Sequence, residues 1–258
     1  MRSPYSLLGA MALAGAILLA ADTPTPAAFK MRISTNGGGS FPVQIEDNKA
    51  GDTNLAVGTI GASFTLPGGG SVVFTIDSNR TFGVPFARLS QTELAKAGTA
   101  PISFGGQVFI IDVTDTDYAA PNGPVVLTSE TSATGLSGGN ASQASVSFQS
   151  WVDDANVEFG MGSFTGGQQG PFVNTNFGGP SAPDTVLTNG TVTNPFSITS
   201  RFTVSDVLIP VGGSFQLTGT ATLTPVSVVP APATLVAALS ALPLLGVGIR
   251  RRWRAGRA

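Results

Sequence analysis

Between two apolar terminal stretches, the chain has no long run of Ala, Leu, Glu and Lys of the kind that builds a helix. Its apolar residues come in short runs, several of them alternating, cut at regular intervals by Gly, Pro, Asn and Asp. Turn residues at that spacing leave room only for short strands, so the middle of the chain is restricted to an all-β domain. Residues 29–228 are enough for one sizeable core.

The alternation is clearest over Ala144–Asp153, where Val146, Phe148 and Ser150 share one side and Ser147, Gln149 and Trp151 the other. Period two means one buried face and one partly wet face. Val108–Thr114 is the most hydrophobic run, and Pro124–Ser129 follows it after a Pro121-Asn122-Gly123 turn. Further strands are expected at Met31–Ser34, Phe41–Glu46, Leu55–Leu66, Ser71–Asp77, Pro195–Val207 and Phe215–Pro225, with an edge strand at Phe82–Phe86 because of Pro85. Val157–Phe159 is a candidate continuation of the strand before it. Ser90–Ala97 reads as the one short helix of the core: Ser90 suits an N-cap, Glu93 completes a capping box, and Gly98 stops the turn. Residues 160–185, rich in Gly, Pro, Asn and Gln, read as a long loop and the only candidate domain boundary. The expected architecture is a single β-sandwich or jelly-roll-like domain.

The two ends read as signals. Arg2 followed by the apolar Leu7–Ala21 stretch and small residues has the form of a secretory signal peptide, assigned to residues 1–28. At the other end, Val229-Pro230-Ala231-Pro232-Ala233-Thr234-Leu235 leads into an uncharged run to Ile249 and then Arg250, Arg251, Arg252 and Arg254. Pro230 and Pro232 lack backbone N–H groups, which keeps the segment extended and open to an enzyme's groove. The run from Leu235 to Ile249 makes about 22 Å of helix, shorter than the roughly 20 residues of an ordinary span. The arginines would stay cytoplasmic by the positive-inside rule. This three-part tail, residues 229–258, resembles the PEP-CTERM sorting signal of Gram-negative bacteria, with Ala231 where that motif usually has glutamate. The resemblance implies a transmembrane sorting helix at the inner membrane and cleavage by the membrane protease-transpeptidase exosortase. It also implies association with exopolysaccharide. The core would lie in the periplasm first, then at the cell surface or in the extracellular matrix. The alternative is a plain, uncleaved C-terminal anchor.

Charge and missing residue types narrow the function further. The core holds seven basic against fourteen acidic residues, a net −7. Such a surface repels phosphates, so no nucleic-acid partner is expected. The chain has no Cys and no His. That removes disulfides, Ser-His-Asp and Cys-His catalysis, and the commonest zinc ligand. Oxygen-rich clusters remain. Asp112, Asp115 and Asp117 lie at a strand end, with Asp115 and Asp117 on one side if the strand continues, and such a group can ligate Ca²⁺. Asp153 and Asp154, near Asn156 and Glu158, form a second group; Glu46, Asp47, Asn48, Asp52 and Asn54 form a third. Asp and Asn are equally ordinary turn formers, and solvated turns are the favoured reading of all three groups. No carboxylate spacing is specific for glycoside hydrolysis. Trp151 and Tyr118 are candidate sugar-stacking residues in a core whose Phe residues read as packing. Asn79-Arg80-Thr81, Asn140-Ala141-Ser142 and Asn189-Gly190-Thr191 match the glycosylation pattern and read as turns.

The expectation is therefore an exported, non-enzymatic surface or matrix protein without a cofactor. A carbohydrate- or calcium-binding module using the same export route is the alternative.

Overall fold

The computed structural model describes residues 28–66, 69–80, 85–103, 107–134, 145–173, 184–206 and 208–226. Residues 229–258, expected to be a sorting tail, residues 1–27 of the expected signal peptide, and most of the Phe82–Phe86 segment lie outside them. Fifteen strands are described: β1 (Phe29–Ser34), β2 (Val43–Glu46), β3 (Thr59–Leu66), β4 (Gly70–Ser78), β5 (Ala87–Lys96), β6 (Ile102–Ser103), β7 (Val108–Tyr118), β8 (Gly123–Thr134), β9 (Ser145–Asp153), β10 (Phe164–Thr165), β11 (Gln169–Val173), β12 (Asp184–Val192), β13 (Phe196–Ser205), β14 (Leu208–Ile209) and β15 (Ser214–Pro225). None of the described residues forms a helix long and apolar enough to cross a membrane.

The strands build two antiparallel sheets. One runs β10-β9-β13-β7-β1-β2, with β11 also on β9; the other runs β12-β8-β15-β5-β4-β3. A two-stranded β6–β14 ribbon stands apart. From β7 to β15 the chain passes repeatedly between the sheets, so that β13 enters between β7 and β9 while β15 enters between β8 and β5. Two antiparallel sheets interleaved in this way make a β-sandwich. The inner faces carry Phe29, Met31, Phe148, Phe196, Ile198 and Phe202 from the first sheet and Ile60, Ile76, Leu89 and Leu127 from the second, all fully buried in one cluster.

The alternation of β9 is as read: Val146, Phe148, Ser150 and Val152 turn inward. Three expectations are corrected. Ser90–Ala97 belongs to a strand, not a helix. β5 pairs along its length with β4 and β15, and Leu89, Gln91, Glu93 and Ala95 point inward with period two. Two flanking ladders outweigh a local capping pattern. The 160–185 segment is not a plain loop, since β10 and β11 within it pair with β9 and β12 begins at Asp184. Residues 157–159 do not extend β9; they lie in the turn region that follows it.

Candidate functional site

The outer face of the seven-stranded sheet gathers charge in one line. Register places Arg32 of β1 opposite Asp112 of β7, Asp112 opposite Arg201 of β13, and Arg201 opposite Gln149 of β9. Gln44 of β2 continues the row beyond Arg32. Five strands at the usual spacing carry it across roughly 19 Å. The Asp112 side chain is fully buried and accepts from both arginines. Arg32 donates through Nε at 2.9 Å and Arg201 through Nε at 2.6 Å and Nη2 at 2.8 Å. Charge-assisted forks of this kind fix the guanidinium planes.

Aromatic rings hold the row from either side. The Arg32 guanidinium lies 4.0 Å from the Phe41 ring centre and 3.9 Å from that of Phe159, so it is sandwiched. Arg201 lies 5.8 Å from the Trp151 ring centre. Phe159 is brought there by the segment after β9, which straps down over the next row of the sheet. Its backbone N–H donates to Thr114 Oγ1 at 3.2 Å, Ser197 Oγ donates to the Val157 carbonyl at 3.0 Å, and Lys30 Nζ donates to Glu158 at 2.8 Å. Phe41, Trp151 and Phe159 are half-buried, as are both arginines. The arrangement offers fixed N–H donors between apolar ring surfaces on an otherwise acidic molecule.

The acidic candidates do not converge. Asp112 faces outward and Asp115 inward. Asp117 shares a side with neither. A register shift between Phe196 and Ile198 breaks the alternation, and Asp117 adopts φ 63° and exchanges hydrogen bonds with Asn156. Asp115 sits between the sheets, where it accepts from Ser78 and Arg80; Ser78 Oγ is 2.8 Å from the Tyr118 hydroxyl. Burial pushes the Asp115 carboxyl up to about 7, against the opposing pull of Arg80 and Ser78. Asp153 caps its own turn through the Ala155 N–H, and a Cβ at Gly160 would sit 2.0 Å from its Oδ2, so only glycine fits there. Asp154 accepts from the Thr193 N–H at 3.0 Å. Asp47 and Asp52 accept from the N–H groups of Gly58, Asn48, Asn54 and Gly61. Among the described residues no three acidic side chains form a group that could hold a metal ion.

Of the two aromatic candidates, Trp151 lies on the outer face. Tyr118 does not: it is 1% exposed and stacks on Phe196 inside the core. Sequence reading missed Arg32, Arg201, Phe41 and Phe159. Arg32 and Asp112 are 80 residues apart and Asp112 and Arg201 89 apart, and only strand register aligns them. An outward-phase arginine on an apolar strand is the one signal available beforehand.

Comparison with known proteins leaves the assignment to these residues. No family model matches the chain, and no curated protein matches it. Among solved structures, the bacteriophage CBA120 tailspike protein 4 enzymatically active domain is similar at a TM-score of 0.27 and 11% identity, over 68% of this chain. This chain spans 21% of the tailspike's length. A carbohydrate-binding module of the β-sandwich superfamily gives a TM-score of 0.27 and 10% identity, over 74% of this chain and 71% of its own. The infectious bursal disease virus Gx strain structure gives 0.26 and 7%, over 79% and 57%.

Proposed function

We propose that this protein is an exported, non-catalytic β-sandwich that binds extracellular polysaccharide through the outer face of its seven-stranded sheet. Its C-terminal tail, on this reading, is an exosortase signal removed near Val229–Pro232, which frees the sandwich into the extracellular matrix. The observation that carries the binding role is the Arg32–Asp112–Arg201 row set between Phe41, Phe159 and Trp151. Sugars present apolar C–H faces and rings of hydroxyl groups. Half-buried aromatic rings take the former, and pre-aimed guanidinium N–H donors take the latter. Asp112 fixes the donors before the ligand arrives, so little ordering cost falls on binding. The absence of His and Cys supports a non-catalytic role.

Two measurements test the proposal. Co-sedimentation of the full chain with exopolysaccharide isolated from the producing cells is expected to saturate, and Trp151→Ala to weaken it by about tenfold, the loss of roughly one good contact. Equal retention of wild type and Trp151→Ala would count against the face. The intact mass of the secreted protein is expected to end near Val229–Thr234; a membrane-bound species that keeps Arg250 to Ala258 would refute the processing step.

A further inference from the structure

The two arginines of the outer row are only partly used by Asp112. A guanidinium carries five N–H groups in one plane. On each arginine Nε and Nη2 point at Asp112, which leaves three of the five free. Nη1 and the second hydrogen of Nη2 then form an end-on pair on each. No described residue accepts from either Nη1, and neither nitrogen is closed off from water. The two side chains keep 23% and 24% of their surface exposed. With Phe41 and Phe159 against the Arg32 guanidinium, its end pair is the part left open.

The row is correspondingly poor in acceptors. The Asp112 carboxyl is fully buried and taken up by both arginines. Gln149 donates its Nε2 to Thr165 Oγ1 at 3.0 Å, so its carbonyl oxygen is what it has to offer. Gln44 stands exposed at the far end of the row. A sugar hydroxyl both gives and takes a hydrogen bond, and an array of donors meets only half of that. A carboxylate only accepts, and matches the array fully. Its two oxygens fit the planar fork of a guanidinium, in bonds about twice as strong as neutral ones. On the adjoining row Glu46 and Glu158 are both paired with Lys30, not with the two arginines.

Given the polysaccharide role proposed above, we infer that the row selects acidic sugars, and that the end pair of Arg201 receives the carboxylate of a uronic-acid residue. Arg201 is the first receiver because Trp151 beside it supplies the apolar surface that a sugar ring needs. Arg32 offers a second end pair two strands away, about 10 Å along the row. Selection acts at the fork itself, since the repulsion from the acidic core is screened over about 8 Å at physiological salt. An amino sugar would bring its cation against two others. A nucleic acid would need several such forks in register with its phosphates.

The test compares binding of the full chain to exopolysaccharide from the producing cells, native and after its carboxyl groups are reduced to alcohols. At about 0.15 M salt the native polymer is expected to bind about tenfold more tightly, the effect of one charge-assisted pair. Arg201→Lys keeps a charge beside Asp112 but loses the fork, and is expected to remove most of that difference. A folded Arg201→Lys protein that keeps the full difference would overturn the role of Arg201. Equal affinity of the wild type for the two polymers would overturn the acid preference and leave polysaccharide binding standing. Binding to neither polymer would overturn both. The two-polymer comparison uses the wild type, so it holds even if the variant fails to fold.

Discussion

Asp112 and Glu93 are both closed off from water, one on the outer face of the seven-stranded sheet and the other between the sheets. Their surroundings differ completely. Asp112 has an arginine opposite it on each neighbouring strand, and both donate to it. Glu93 has a phenylalanine on one side and a leucine on the other, and no side-chain partner. The contrast shows that burial alone gives a carboxyl no role. Partners aligned by strand register turn Asp112 into a brace for two arginines. Their absence leaves Glu93 a buried polar group that costs stability.

Removing each carboxyl should therefore have opposite effects. Asp112→Ala leaves two half-buried guanidiniums facing one another, and a loss of about 3–5 kcal/mol is expected in urea unfolding. A loss below about 1 kcal/mol would mean the row is an exposed surface pair. Glu93→Leu should raise stability by about 1–3 kcal/mol, the desolvation cost of an unmet polar group. An equal loss would break the comparison, because it would mean that Glu93 has a partner in the folded protein.

The pH dependence follows from the same contrast. The folded-state carboxyls of Asp115 and Glu93 are raised, Asp115 from 3.8 to about 7. The folded chain then holds these protons more tightly than the unfolded chain. Between pH about 4 and about 7 the folded state binds more protons, so stability falls as pH rises through that window. The urea midpoint is expected to be higher at pH 5 than at pH 8. Asp115→Asn should flatten the slope up to about pH 7, and Glu93→Gln the part contributed by Glu93. A midpoint that rises steadily to pH 8 would contradict both assignments. The smallest effect is expected from Arg32→Lys, which keeps the charge but loses the planar stack between Phe41 and Phe159. About 1 kcal/mol should be lost, with a weaker hold on polysaccharide.

The sandwich was legible in the sequence because its strands alternate over a wet outer face and a dry inner one, as Val146, Phe148 and Ser150 do on β9. Ser90–Ala97 was not, because Ser90 and Glu93 have capping-box spacing and the ladders that override it come from β4 and β15, distant in the chain. The same misreading hid the buried acid, since Glu93 had a ready explanation as a cap. Asp112, Asp115 and Asp117 looked like one cluster at a strand end. The pleat sends Asp112 and Asp115 to opposite faces, and a register shift turns Asp117 aside. The arginine row was invisible for a simpler reason: its members come from separate strands, and no local pattern records register.

The opposite outer face supplies an internal control. There Thr75, Thr92, Thr218 and Ser132 stand in one row across four strands, with hydroxyl groups in place of guanidinium groups. The most direct test is an NMR titration of the ¹⁵N-labelled full chain with oligosaccharides from the producing cells' exopolysaccharide. The Trp151 indole N–H and the Arg32 and Arg201 Nε–H signals are expected to move and saturate together, while the amides of Thr92 and Thr218 stay still. Movement confined to the threonine face, or none on either face, would contradict it.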